Sequence, residues 1–425
     1  MPKPGYKLVK SLFGKYEEIP EEWELLPFEK LCEKITDGTH FTPTYVEEGI
    51  PFISTENIHP SIRGFDFSRY RKYITEKEHK QLIKRAKPEK GDILVSKCGT
   101  IGRTKLIDID LEVSLFVGLM LLKLKKNLVN GKFIEQILNS EPFHKKMQIM
   151  APGSTRKTLT ITNISNLLLP IPPILEQQKI ASILSNVDEL ISSYDKTIQT
   201  TKKLKKGLMQ TLLTRGMGHK KFKKVKWLFG KDIEIPEEWK ITVIGNEFVI
   251  GPGGTPKTSN SKFFKGNVNW VTTSDLNRGI INTSTALITE EAVRETHLKI
   301  YPKGSFVIAA IGVDASHTRG NCGILSFDAA INQVCLVFKK SESVLTEFFY
   351  YYYLQFANNL IFKYSQGTKQ WAFYPYVIKK IPFVLPSLEE QQKIASILSS
   401  VDDKISKLES KKKSAESLKK GLMQK

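Results

Sequence analysis

Four glycine-rich stretches carry the residue types best suited to chemistry: CGTIGRT at 98–104, APGSTRKT at 151–158, GPGGTPKT at 251–258 and SQGTKQWAF at 365–373. Glycine lets a backbone approach a phosphate closely, while Arg and Gln make paired hydrogen bonds with guanine and adenine edges. On that chemistry the candidate DNA contacts are Arg156, Lys157, Lys369 and Gln370, followed by Lys97, Arg103, His317 and Arg319. An ordinary turn is the alternative at each loop. The parallel placement of two basic loops in each half of the chain raises the DNA reading level with it. Trp371, in the last loop, and Tyr374, just after it, either stack on a base or fill core.

Other chemistry is hard to assemble. GPGGTPKT approaches the phosphate-cradling pattern GxxxxGK[ST], but Pro256 stands where the glycine before Lys257 is needed, which argues against nucleotide hydrolysis. The 7 histidines are scattered, with no HExxH and no H-x-E followed by CxxC, so metal and hydrolase readings fall away. The Asn/Asp-Pro-Pro-aromatic tetrapeptide of amino-methylating enzymes is missing too, so adenine methylation would need another subunit. No catalytic and no metal-binding residue is expected.

Composition agrees with a polyanion-binding protein. The 425 residues hold 64 Lys and Arg against 44 Asp and Glu, a formal charge of +20; charge of this kind suits nucleic acid, though a merely basic surface would share it. Four separated cysteines, Cys32, Cys98, Cys322 and Cys335, make neither a disulfide framework nor a paired-Cys zinc site. No secretory leader or membrane-spanning stretch is evident, so the expected location is cytoplasmic.

The elements that must position the loops emerge from a repeat. EQQKIASILSNVD at 176–188 recurs as EQQKIASILSSVD at 390–402, with one difference in thirteen positions, and LKKGLMQ at 204–210 recurs at 418–424. FGKYEEIPEEWE at 13–24 matches FGKDIEIPEEWK at 229–240 at nine of twelve positions. The pattern would be continuous if the two ends were joined, which is a circular pseudo-symmetry. Between the repeats lie two stretches of similar length and little shared identity. Parts that stayed alike should share a job, and parts that differ should contact different things.

From Glu176 the apolar residues Ile180, Leu184, Val187, Ile191, Tyr194 and Ile198 follow a three-four spacing, and Ile394, Leu398, Val401, Ile405 and Leu408 repeat it. Two helices of roughly 35–40 residues, about 50–60 Å each, are expected to pair antiparallel. Core packing alone would not require their outer polar residues to match. Gln177, Gln178 and Lys179, with their copies Gln391, Gln392 and Lys393, are therefore the candidate partner-binding residues. Residues 196–231 hold twelve Lys or Arg and no Asp or Glu; this run serves DNA, a partner, or simply a solvated helix end.

The fold expected is α+β with two similar domains on a helical frame. An N-terminal segment 1–24 completes the second repeat, 25–170 is the first variable domain, 171–216 the central helix, 217–240 the linker repeat, 241–385 the second variable domain and 386–425 the last helix. The doubled IPEEW segments at 19–23 and 235–239, with IPPILEQQKIASIL at 171–184 and LPSLEEQQKIASIL at 385–398, resemble type I restriction-modification specificity subunits along the whole chain. That resemblance implies two target-recognition domains, each reading half of a split asymmetric DNA site, and a coiled-coil spacer that sets their separation. It implies double-stranded DNA, two modification (methyltransferase) subunits and restriction (ATP-dependent translocase/endonuclease) subunits as partners. S-adenosylmethionine and ATP would sit on those partners, with no cofactor on this chain. A scaffold binding two proteins and no DNA is the competing reading, which steep salt dependence of DNA affinity would exclude.

Overall fold

The structure, a computed structural model, describes residues 2–423 except 11–15, 61, 63, 69–70, 154–156, 228–231, 314, 316–317 and 368–370. The chain divides into two compact units, Met1–Lys196 with Ser410–Lys425, and Thr197–Glu409. Both junctions fall inside long helices, which run Ile174–Arg215 and Leu388–Leu422.

In the first unit an antiparallel sheet takes the order Cys32–Asp37, Leu119–Leu124, Ile93–Ser96, Thr104–Leu106. Its central strand is buried on both faces, and its residues read as a continuous apolar run for that reason. Helices Gly131–Leu138 and Glu141–Met150 supply Phe133, Ile134, Leu138, Phe143 and Met147 to the core on one face. The first of these helices stops at Asn139, whose amide bonds both backbone groups of Thr104, and the second starts after Ser140 with Pro142 in its first turn. A second small sheet pairs Ser114–Leu115 in parallel with Ile50–Ile53.

The second unit repeats this plan with different residues. Its larger sheet has the order Ile250–Pro252, Cys335–Phe338, Phe306–Ala309, Cys322–Leu325, Gly279–Ile281, and Ala329–Ile331 pairs in parallel with Val268–Val271. Helix Thr346–Tyr364 buries Phe348, Phe349, Tyr352, Tyr353 and Phe356 against that sheet, a core richer in aromatic side chains than the first unit's mix of aliphatic residues with Phe28, Phe133 and Phe143.

Each unit fastens its variable domain to a long helix by the same devices. Trp23 Nε1 donates to Glu176 at 3.1 Å, and Trp239 Nε1 donates to Glu390 at 2.8 Å, which explains the doubled IPEEW. Gln136 and Lys419 converge on Asp188, just as Tyr351 and Lys205 converge on Asp402. The helices run antiparallel within each unit: Asp195 and Asp188 meet Lys412 and Lys419 in the first, and Lys202 and Lys205 meet Glu409 and Asp402 in the second. Leu184, Val187, Ile198 and Ile405 of the expected seam are buried.

Candidate nucleic-acid interface

Loops separate in sequence come together in each domain. In the first, the hairpin joining Ile93–Ser96 to Thr104–Leu106 turns through Gly99 and Gly102, at φ of +68° and +83°. Such angles are open to glycine at no steric cost. Leu159 N–H donates to the Lys97 carbonyl at 2.8 Å, which ties the chain just after the 151–158 loop to the hairpin. Arg103 Nη1 reaches the Ile58 carbonyl at 3.3 Å and adds a third loop, 54–60. Asn57 ties that third loop by accepting from Ser54 N–H at 2.9 Å. Partial burial and then the Arg103 charge hold His59 below its usual pKa, so its ring is biased to the neutral form.

The second domain repeats the assembly. Its hairpin between Phe306–Ala309 and Cys322–Leu325 turns through Gly312 and Gly320, at φ of +73° and +71°. Phe373 N–H donates to the Ala310 carbonyl at 2.7 Å, the counterpart of the Leu159–Lys97 bond, and Gly312 N–H donates to the Trp371 carbonyl at 2.9 Å. Asp275 ties the third loop through Thr272 N–H at 2.8 Å, as Asn57 does in the first domain. Arg278 Nη2 donates to the Arg319 carbonyl at 2.7 Å and closes the triad. Arg319 in turn bonds the Val313 carbonyl at 3.0 Å and lies 5.9 Å from the Trp371 ring. Arg278, Arg319, Asn358, Asn359 and Phe362 line an open cleft of about 440 Å³.

Of the residues singled out in the sequence, Arg103 and Arg319 each sit in a triad, and Lys157 is exposed beside the first one. Arg156, His317, Lys369 and Gln370 lie outside the described residues. Trp371 is half-buried and edge-on to Phe362, whereas Tyr374 is exposed and stacked on Tyr376 at 5.7 Å.

Lys97 needs a correction. Its ammonium is 2.5 Å from Asp37 with only 12% of its side chain exposed, so it is engaged in an internal ion pair rather than offered to a phosphate. Asp37 also accepts from Arg85 at 2.5 Å and lies 3.2 Å from His40. Burial alone would raise this carboxyl, but Arg85, Lys97 and His40 outweigh it and hold its pKa at about 2.

Gln177 and Gln391 also change role. Both are fully buried. Gln177 donates to the Leu128 and Pro172 carbonyls at 3.0 and 2.8 Å and accepts from Asn130 N–H at 2.9 Å. Gln391 does the same with Ser343, Pro386 and Leu345 at 3.0, 3.0 and 2.8 Å. They match because each seals the same three backbone groups at a helix entry, which removes them from any outer surface. Gln178, Lys179, Gln392 and Lys393 are exposed.

The glycines of GPGGTPKT have a packing cause as well. A Cβ on Gly253 would lie 2.0 Å from the Asn332 carbonyl oxygen, just as one on Gly38 would lie 2.2 Å from that of Leu115. Sequence reasoning missed Arg278, Asn358 and Asn359, since only Arg278 borders a glycine and none stands in a glycine-rich loop. Within the basic run, Lys202 and Lys205 are spent on ion pairs across the helices, while Lys203 and Lys206 are exposed. Among the described residues no group of three or more His, Cys, Asp or Glu side chains is placed to hold a metal ion.

Comparison with known proteins places this geometry in context. The model of the type I restriction modification DNA specificity domain matches twice, over residues 20–206 and 236–416. The chain named as the MjaX type I restriction enzyme specificity subunit of Methanocaldococcus jannaschii is 28% identical over 96% of this chain and 93% of its own. The MjaVIII specificity subunit of the same organism is 25% identical over 95% of this chain and 92% of its own. In fold, the type I restriction-modification S subunit from M. genitalium superposes with a TM-score of 0.58 at 15% identity, covering 94% of this chain and 95% of that one.

Proposed function

Since the chain belongs to the type I restriction-modification DNA specificity family, we propose that its two loop triads are the DNA-reading surfaces of two target-recognition domains. It is the specificity subunit, a non-catalytic part of a restriction-modification complex that binds DNA and assembles with modification and restriction subunits. The observation that carries the reading is the pair of loop triads, built on the same hydrogen-bond plan from different side chains. A shared scaffold with unlike contact residues is what reading two unlike half-sites requires.

In this reading Arg103, Lys157, Arg156 and His59 face the first half-site, and Arg319, His317, Lys369 and Gln370 the second. The two long helices set the separation, since half-sites about one turn, ~34 Å, apart suit helices of this length. Their exposed Gln178, Lys179, Gln392 and Lys393 present the same polar pattern twice, which suits docking two copies of the modification subunit. S-adenosylmethionine for adenine methylation and ATP for translocation belong to those partners. The protein acts in the cytoplasm, where the DNA is; none of the described helices is long and apolar enough to cross a membrane.

The deciding experiment maps methylated sites in DNA from cells carrying this chain with a methyltransferase partner and from cells lacking it. A split asymmetric motif that vanishes with the chain is expected. Identical methylation in both would leave the scaffold reading standing.

A further inference from the structure

We propose that Arg278 is a base-reading residue that fixes one position of the half-site recognised by the second domain, an inference that rests on the DNA-reading function above. Arg278 has a φ of 59°, and the only other non-glycine among the described residues with positive φ is His297. A side chain in that region is strained and persists only where its surroundings hold it. Here they do. The Arg278 N–H donates to the Cys322 carbonyl at 2.9 Å, its carbonyl accepts from the buried Tyr350 hydroxyl at 2.5 Å, and its guanidinium donates to the Arg319 carbonyl at 2.7 Å.

The guanidinium opens onto the cleft formed with Arg319, Asn358, Asn359 and Phe362, the last 70% exposed. Among the described residues no carboxylate pairs with Arg278. Its charge is exposed, while one hydrogen bond sets the plane of its fork. A phosphate needs only a cation, which a mobile lysine supplies. A base edge needs two donors at a fixed angle, and Arg fits the paired acceptors of guanine. Asn358 and Asn359 offer the donor-acceptor pair that suits an adjacent adenine.

The cleft belongs to one domain. Asn57 and Asp275 occupy the same place in the third loop, each capping the residue three positions before it. Three residues after them stand Pro60 in the first domain and Arg278 in the second. Proline has no side-chain donor, so this contact distinguishes the two half-sites.

The test uses the full chain with its methyltransferase partner and compares Arg278→Ala, Arg278→Gly and Arg278→Lys by methylated-site mapping and by DNA binding over a range of salt. Glycine accepts the left-handed backbone without strain, so Arg278→Gly should fold even where Arg278→Ala does not. Each folded variant is expected to lose roughly 10- to 100-fold discrimination at one base pair of the second half-site, with the first half-site unchanged. Lysine should not restore it. An unchanged motif with Arg278→Gly overturns the proposal. So does uniform weakening over all sequences with the salt slope reduced by about one and binding rescued by lysine, the signature of a phosphate contact. A wild-type chain that confers no split motif would overturn the parent function and this inference with it; an intact wild-type motif beside unchanged variants would overturn this inference alone.

Discussion

Asp37, at the end of the strand Cys32–Asp37, shows how a charged residue close to the candidate DNA contacts can be structural. It lies in a basic, glycine-rich neighbourhood, yet its side chain is only 4% exposed and three cationic or polar side chains surround it. Removing one partner of a buried pair leaves the other charge uncompensated. Asp37→Asn is accordingly expected to destabilise the first unit by on the order of 3 kcal/mol, read from urea unfolding. The sign with pH follows from its lowered pKa of about 2. The stabilisation is complete above the unfolded carboxyl value of about 4 and is lost as pH falls toward 2. Wild type and variant should therefore differ most near neutrality and converge in acid; a difference that grew on acidification would refute this account. The cysteines behave differently: burial pushes the Cys32, Cys322 and Cys335 thiols up to about 12, so none of these three is a reactive nucleophile at neutral pH.

At the scale of elements, the long helices combine two separable tasks. Their buried glutamines hold the variable domains in place, and next to them Gln178 and Gln392 stand exposed. Gln177→Ala and Gln391→Ala each leave a buried backbone N–H and two carbonyls without a partner, and are expected to cost about 1–3 kcal/mol in thermal or urea unfolding. Gln178→Ala and Gln392→Ala should stay within about 0.5 kcal/mol of wild type, because neither side chain is buried. If they bind the modification subunit, their effect will appear in complex assembly, measured by co-purification. The helices can also be lengthened. Adding one turn, about 5.4 Å, to each helix at the junctions 196/197 and 409/410 should widen the methylated motif by one or two base pairs and leave each half-site sequence intact. Unchanged spacing would remove the ruler.

On the scale of the whole molecule, the doubled frame predicts that the domains are exchangeable. Trp23, Glu176, Gln177 and Asp188 have counterparts in Trp239, Glu390, Gln391 and Asp402, so a foreign domain that keeps these contacts has what it needs to seat itself. Replacing residues 25–170 with another domain of the family should change one half of the recognised motif and preserve the other, as read by methylated-site sequencing. Retention of the original motif would show that the half-sites are not read independently. The charge of +20 adds a term that does not depend on sequence. Released counterions make affinity fall steeply with salt, and that dependence should survive the exchange.

The sequence alone determined the duplicated plan and the helical frame. Near-identical repeats at fixed offsets and a three-four apolar spacing are local signals, carried by residues such as Ile180, Leu184 and Ile394 whose neighbours in sequence are also their neighbours in space. It also marked the loop that carries Arg103, because glycine at positive φ leaves a compositional trace, and it named Arg319 without marking the loop that carries it. What only the tertiary structure decided is which of those residues are free. Lys97 and Lys157 look alike in sequence, but Asp37, sixty positions away from Lys97, neutralises one of them. Gln177 and Gln178 are adjacent and equally polar, yet one is buried against backbone from residues 128–130 and the other faces water. Arg278 carries no motif, and its place in a cleft depends on Tyr350 and Arg319, whose distance along the chain hides their distance in space. Burial and long-range pairing depend on how the strands and loops close on one another, and no spacing within a single segment records that.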